Sequence, residues 1–321
     1  MKASPFGLRM SWLGPLCCVS DWRTVRMGMQ RLLIGSIATA GVAIALVTTA
    51  AAGPVTLFST GSPDGKIATL SRPAGVGLLE TETADDFVLG QRAVVTNATF
   101  IGLLPTGALL SSVTGIEIEL YHVFPVDSVN PPDGRVLTRN NSPSDNQFAA
   151  FDSGLGSLSF SATILNPSFT AANSVVNGIH AIPSQFTGGE GAVTGEEVQF
   201  NITFTTPFLV GATDHDFFRP EVGLSSGNFL WLSAPKPIVS PGTAFQFPGG
   251  PTTDLQSWIR NDGAGALAPD WERIGTDVTG QGPFNATFSL SGTVVPEPSS
   301  AVLLGVGFVA LVWWRRATST R

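Results

Sequence analysis

The chain has 321 residues, with 17 basic and 24 acidic side chains and a formal net charge of −7. That acidic balance excludes the basic footprint that nucleic-acid binding needs. No cysteine lies beyond Cys18 and no methionine beyond Met29, which excludes disulfides, thiolate zinc sites and thiol nucleophiles from everything downstream.

Residues 1–28 hold Arg9, Arg23, Arg26 and both cysteines and show no hydrophobic period. Gln30 and Arg31 then give a short basic lead, Leu32 to Val47 is apolar or small almost throughout, and Ala50-Ala51-Ala52 supplies a small-x-small cleavage pattern before Gly53. This order reads as a misassigned leader over 1–28, with translation starting at Met27 or Met29, and a signal peptide over 29–52 that forms an N-terminal signal helix. A long basic region or an uncleaved anchor is the alternative. Between Gly53 and Val295 the chain carries nine basic residues and a net charge of −13. Such a charge suits a soluble, self-repelling extracellular surface, and a segment of about 240 residues is ample for a packed core.

Within that segment apolar residues recur in short alternating runs. Ile116 to Phe124 reads as a strand, although Glu117 and Glu119 share a face with Tyr121 and Val123. Ser157 to Leu165 sets Leu158, Phe160, Ala162 and Ile164 on one face against mostly Ser and Thr. Val198, Phe200, Ile202 and Phe204 alternate with Gln199, Asn201, Thr203 and Thr205. Phe229 to Leu232 is a short continuous apolar strand, and Phe284, Ala286, Phe288 and Leu290 alternate with Asn285, Thr287 and Ser289. A period of two with one polar face describes antiparallel strands covered on one side. Turn signals separate them at Ser62-Pro63-Asp64-Gly65, Pro131-Pro132-Asp133-Gly134, Thr187-Gly188-Gly189 and Phe247-Pro248-Gly249-Gly250. The fold class predicted is all-β, an antiparallel, jelly-roll-like β-sandwich in one domain over 53–294. A split near Gly188 to Gly195 is the second choice.

Catalytic signals are poor. Gly223-Leu224-Ser225-Ser226-Gly227 matches G-x-S-x-G, but that motif needs a helix after the serine, and here an apolar strand follows. His122, His180 and His215 are far apart, and His122 reads as a hydrogen-bonded core histidine. Asp214, Asp216 and Glu221 form a candidate metal set, beside Asp85-Asp86 and Asn261-Asp262 with Asp270 and Glu272. Oxygen-rich loops of this kind can hold structural Ca²⁺, although none has EF-hand spacing and solvated acidic loops are the competing reading. No other cofactor is expected. Trp258 and Trp271 lie in or beside Gly/Asp-rich sequence, where exposed rings could stack on sugars; packing at the edge of the core explains them as well. A glycosidase would need two carboxylates facing across a cleft.

The tail 295–321 is the most specific segment. Pro296-Glu297-Pro298 opens it, Ala301 to Trp314 is apolar, and Arg315-Arg316 closes it. As a transmembrane helix, Ser299 to Trp314 would be about 24 Å long, with its arginines cytoplasmic. Those residues resemble the C-terminal signal of PEP-CTERM sorting-domain proteins, and Ala84-Asp85-Asp86-Phe87 resembles exported members of the same group. The resemblance implies that an exosortase recognises Pro296, Glu297 and Pro298, with Arg315 and Arg316 as the stop. It also implies transit through the inner membrane of a Gram-negative bacterium and delivery to the cell surface or exopolysaccharide matrix. An unprocessed single-pass tail anchor is the alternative. Signal peptidase is the other processing partner, and no nucleic acid is expected. The function predicted is that of a non-enzymatic exported protein with a structural or interaction role. A carbohydrate-binding module for exopolysaccharide comes second and a glycan hydrolase third.

Overall fold

The alternating runs form long strands in the computed structural model, which describes residues 53–75, 77–124, 142–176, 187–235, 256–261, 271–295 and 300–318. The chain divides into two units, Met1–Thr49 and Ala50–Arg321, and every described residue belongs to the second. The leader, the signal peptide, and the turns at Pro131–Gly134 and Phe247–Gly250 lie outside the described residues.

One sheet of nine strands contains β1 (Val55–Ser59), β2 (Ile67–Leu70), β4 (Ala93–Pro105), β7 (Leu158–Ala171), β8 (Asn173–Val175), β9 (Val193–Val210), β11 (Leu230–Ala234), β14 (Asn285–Ala286) and β15 (Phe288–Val294). A second sheet, of six strands, is ordered β13 (Glu272–Arg273), β12 (Trp258–Asn261), β3 (Thr81–Val88), β10 (His215–Leu224), β5 (Val113–Val123) and β6 (Pro143–Asp152). The tail carries α1 (Ser300–Thr318). Pairing is antiparallel apart from β2 with β8. A parallel pair needs a crossover, and here the whole excursion from β3 to β7 supplies it.

The core follows from the period of two. Val198, Phe200, Ile202 and Phe204 are buried on β9, while Gln199 and Asn201 are half-buried and Thr203 is exposed. Phe100 on β4 stands opposite Phe200, and their rings stack at 5.0 Å. The two sheets meet through aromatics: Phe58 of β1 lies 5.9 Å from Phe87 of β3, and Phe218 of β10 stacks on Phe288 of β15 at 5.0 Å and 4°. Contacts of this kind make the pair of sheets a β-sandwich.

Two sequence expectations are refined. The run from Phe284 to Leu290 is two strands, because the chain changes neighbour at Thr287. Thr287 Oγ1 donates to the Ile101 carbonyl at 2.7 Å, and its own carbonyl accepts from Trp231 Nε1 at 2.8 Å. At the turn after Pro63, Gly65 takes φ +70 and Asp64 Oδ1 accepts the Lys66 amide at 3.0 Å, the Asx geometry that turn chemistry favours.

Ala84-Asp85-Asp86-Phe87 explains itself on β3. Ala84 and Asp86 face outward, and Phe87 enters the main core. Asp85 faces inward and is fully buried, accepting the Ala286 amide at 3.0 Å and the Ser257 hydroxyl at 2.9 Å. It thereby ties the second sheet to β14 of the first. Asp85→Ala should cost about 1–3 kcal/mol, since it strands a buried amide, and Asp85→Asn should cost clearly less. Urea unfolding measures both, and an Asp85→Ala midpoint equal to that of the parent would contradict the role.

Candidate functional site

The outer face of the six-stranded sheet carries the densest chemistry. Residues separated by two share a strand face, so Glu82 on β3, Arg219 and Glu221 on β10, and Glu117, Glu119 and Tyr121 on β5 all project from one side. The register places Arg219 opposite Glu119, Glu221 opposite Glu117, and Phe217 opposite Tyr121.

Arg219 is 1% exposed and is the hub. Its Nη2 donates to Glu80 at 2.6 Å and to Glu82, and stands 3.2 Å from Glu221; its Nη1 is 3.4 Å from Glu119. Arg260 on β12 donates to Glu82 and, at 3.2 Å, to the Tyr121 hydroxyl, while its guanidinium lies 4.5 Å from the Trp271 ring. Burial alone would weaken the Arg219 charge, but Glu221, Tyr121, Glu119 and Glu80 outweigh it and raise its pKa. Burial pushes Glu221 well above the ordinary carboxylate range against the pull of Arg219, and Glu80, Glu117 and Glu119 push the same way. Glu117 is raised for the same reasons, burial first. Tyr121 is likewise driven up by burial.

The residues singled out from sequence fare differently. Trp258 and Trp271 are 1% and 0% exposed, which corrects the expectation of open, sugar-stacking rings. Trp258 belongs to β12 rather than a loop, and both rings pack with Ala84, Tyr121 and Phe217, Trp271 edge-on to Tyr121. The set Asp214, Asp216 and Glu221 is corrected as well. Asp216 and Glu221 are five residues apart on one strand, hence on opposite faces and about 17 Å distant. Asp214 instead accepts the Gly211 amide at 3.0 Å. Among the described residues, no three His, Cys, Asp or Glu side chains are grouped so that they could hold a metal ion.

His122 Nδ1 is 2.7 Å from Asp216 Oδ1, and its ring stacks on Phe148 at 4.1 Å. His215 Nε2 is 2.7 Å from Asp86 Oδ2. His122 is hydrogen-bonded as expected but half-buried rather than in the core, and His180, Asp262 and Asp270 lie outside the described residues. Ser225 and Ser226 sit in the bend between β10 and β11, where Gly227 takes φ +82, and a strand follows instead of a helix. The nucleophile-elbow geometry is absent there.

Sequence reasoning missed the Arg219 network. Its signal was present as three charged pairs at i, i+2: Glu80/Glu82, Glu117/Glu119 and Arg219/Glu221. Charges repeated on one face of a strand mark a shared polar layer once those strands are neighbours.

The tail is separate. α1 starts at Ser300, after Pro296-Glu297-Pro298, which lie outside the described residues; Arg315 is exposed within α1, and Arg316 also belongs to it. Among the described residues, no helix is long and apolar enough to cross a membrane. The apolar part of α1, Ala301 to Trp314, amounts to about 14 residues and about 21 Å, against a bilayer core of about 30 Å. A β-sandwich followed by Pro-Glu-Pro, an apolar helix and paired arginines defines an exported domain with a C-terminal sorting signal. Residues 294–316 match the PEP-CTERM protein-sorting motif, the signal of exosortase-processed extracellular or surface proteins. No curated protein and no solved structure matches the chain.

Asp216 supplies a pH test. Burial raises its carboxyl to about 6, the hydrogen bond and charge of His122 oppose that, Asp214 adds to it, and His215 opposes it. A raised carboxyl holds its proton more tightly in the folded chain than in the unfolded one. Stability from this group is therefore lost as pH climbs from about 4 to about 6 and stays lost above. Asp216→Asn should flatten that slope and leave the variant more stable at about pH 7.5, by on the order of 2 kcal/mol. Thermal melts across that range decide it, and an Asn variant keeping the parent's slope would refute the assignment.

Proposed function

We propose that this jelly-roll-like β-sandwich is exported across the inner membrane of a Gram-negative bacterium, is held there briefly by its tail, and is released or displayed at the surface by exosortase cleavage near Pro296. The match over residues 294–316 carries this reading. Signal peptidase removes the leader before Gly53, leaving a domain of residues 53–294 ahead of the sorting tail. Although α1 is short, its apolar run and terminal arginines suit a transient hold whose charged end stays cytoplasmic. The mature domain serves a structural or interaction role in the matrix, without turnover.

Intact mass with terminal peptide mapping on protein from the native host tests this reading. The expected mature chain begins near Gly53, ends near Pro296, and retains Trp313–Arg316 when Glu297 is replaced by Ala. A wild-type chain that keeps Arg315 and Arg316 would overturn it.

A second reading, binding of exopolysaccharide, draws on a different surface from the tryptophans. The outward side of the nine-stranded sheet presents the row Ser289, Thr99, Asn201, Ser161 across β15, β4, β9 and β7. The next row is Ser291, Asn97, Thr203, Ser159. Hydroxyls and amides repeat there about 4.8 Å apart across strands and about 6.8 Å apart along them, with no charge in either row. On an acidic domain, such a face suits a neutral polymer. Thr99→Lys with Asn201→Asp should abolish co-sedimentation with the host's purified exopolysaccharide, and unchanged co-sedimentation would remove this reading.

A further inference from the structure

We propose that the free edge of β7 pairs antiparallel with the same edge of a second copy of this chain, joining two nine-stranded sheets into one. A strand with a single neighbour leaves every other backbone N–H and C=O without a strand partner, which makes it a template for a further strand. Among the described strands, β7 pairs with β9 alone.

The other described strands with one neighbour are short or defended. β1 has five residues, β8 three, and β13 and β14 two each. β6 is longer, but it opens on Pro143, carries Asp145 and Asp152, and slips register twice against β5. Proline, charge and bulges are the usual guards against edge-to-edge pairing. β7 keeps such guards to its second half, where the register slips between Ile164 and Asn166 and again before Phe169, around Pro167. Leu158 to Ile164 runs in unbroken register with β9 and holds no charged residue. Ser159, Ser161 and Thr163 are exposed there, and so is Ile164, to 42%.

Two observations select a second copy as the occupant. The first is charge: from Gly53 to Val295 the chain carries −13, so two copies repel except where uncharged surfaces meet. The second is symmetry. Opposed residues of an antiparallel pair share a face. A two-fold axis at Ser161 therefore sets Ser161 against itself, Ser159 against Thr163, Phe160 against Ala162 and Leu158 against Ile164. Every hydroxyl meets a hydroxyl, and every apolar side chain meets an apolar one. Ile164, exposed in one copy, then stands beside Leu158 of the other. The row Ser289, Thr99, Asn201, Ser161 continues across the axis into its symmetry mate. This inference concerns the domain and stands apart from the sorting tail.

The test uses the full chain in detergent, with Cys17 and Cys18 replaced by Ser. Ser161→Cys should give an oxidised dimer at twice the 33.5 kDa chain mass. Its opposed Cα atoms would stand about 4.5–5.5 Å apart, within disulfide reach. Ser159→Cys alone should give none, because its two copies would be about 14 Å apart, whereas Ser159→Cys combined with Thr163→Cys should link. Without any added cysteine, the chain should sediment as a dimer at about 100 µM, as a small interface allows. Ser161→Lys sets like charges against each other and should lower that dimer about fivefold or more. Ser161 is exposed, so its variants keep the fold. No dimer from Ser161→Cys, equal linking through Ser159→Cys alone, or a dimer that survives Ser161→Lys and so belongs to the tail would each overturn the proposal.

Discussion

Asp85 holds the sandwich shut. One buried carboxylate on β3 accepts an amide from β14 and a hydroxyl from the segment leading into β12. Hydrophobic contact between the sheets is strong but non-directional, so Phe58, Phe87, Phe218 and Phe288 could pack in several registers. The Asp85 bonds allow one. They place β12 against β3, and with it Trp258 and Arg260 over Tyr121 and Glu82. The charged layer on the far side of the sheet exists because the near side is fixed.

That layer inverts the usual economy of a β-sandwich. Antiparallel sheets commonly turn a solvated polar face outward, and the nine-stranded sheet does so with its Ser, Thr and Asn rows. The six-stranded sheet instead buries its outward face. Its carboxylates lose water, and two arginines restore only part of the lost solvation, which is why the carboxyls of Glu221 and Glu117 are shifted up from the ordinary carboxylate range. Replacing the layer with apolar residues would often be neutral or stabilising. Its retention marks a place where the chain tolerates cost.

Much of the fold was legible in the residues. The alternation at Leu158–Ile164, Val198–Phe204 and Phe284–Leu290 located strands, and Ile116–Phe124 located β5, because a half-buried strand writes its burial directly into sequence. Partner choice was hidden: nothing local says that Thr287 marks a change of neighbour, or that β8 runs parallel to β2. The site was hidden for a related reason. Glu82, Glu119 and Arg219 come from three strands far apart in the chain and meet only through register, whereas Asp214 and Asp216 looked paired through nearness in the chain alone. Trp258 and Trp271 misled because the Gly and Asp near them in the sequence say little about where the rings themselves pack. The sorting motif of the tail was readable, since such a signal is a linear message.

The order of the strands has a consequence for timing. β1, the first strand described, pairs only with β15, the last, and β15 lies between β1 and β4. Such a sheet closes like a clasp whose two halves are the first and last strands described, so a length of chain that stops short of β15 leaves β1 without its neighbour. Contacts of this reach form late. Because the tail begins directly after β15, whose end is pinned where the Val295 amide bonds to the Arg92 carbonyl at 2.9 Å, tension applied there bears on the last strand to be locked. A pull on the tail therefore acts first on the strand whose pairing closes the sheet between β1 and β4.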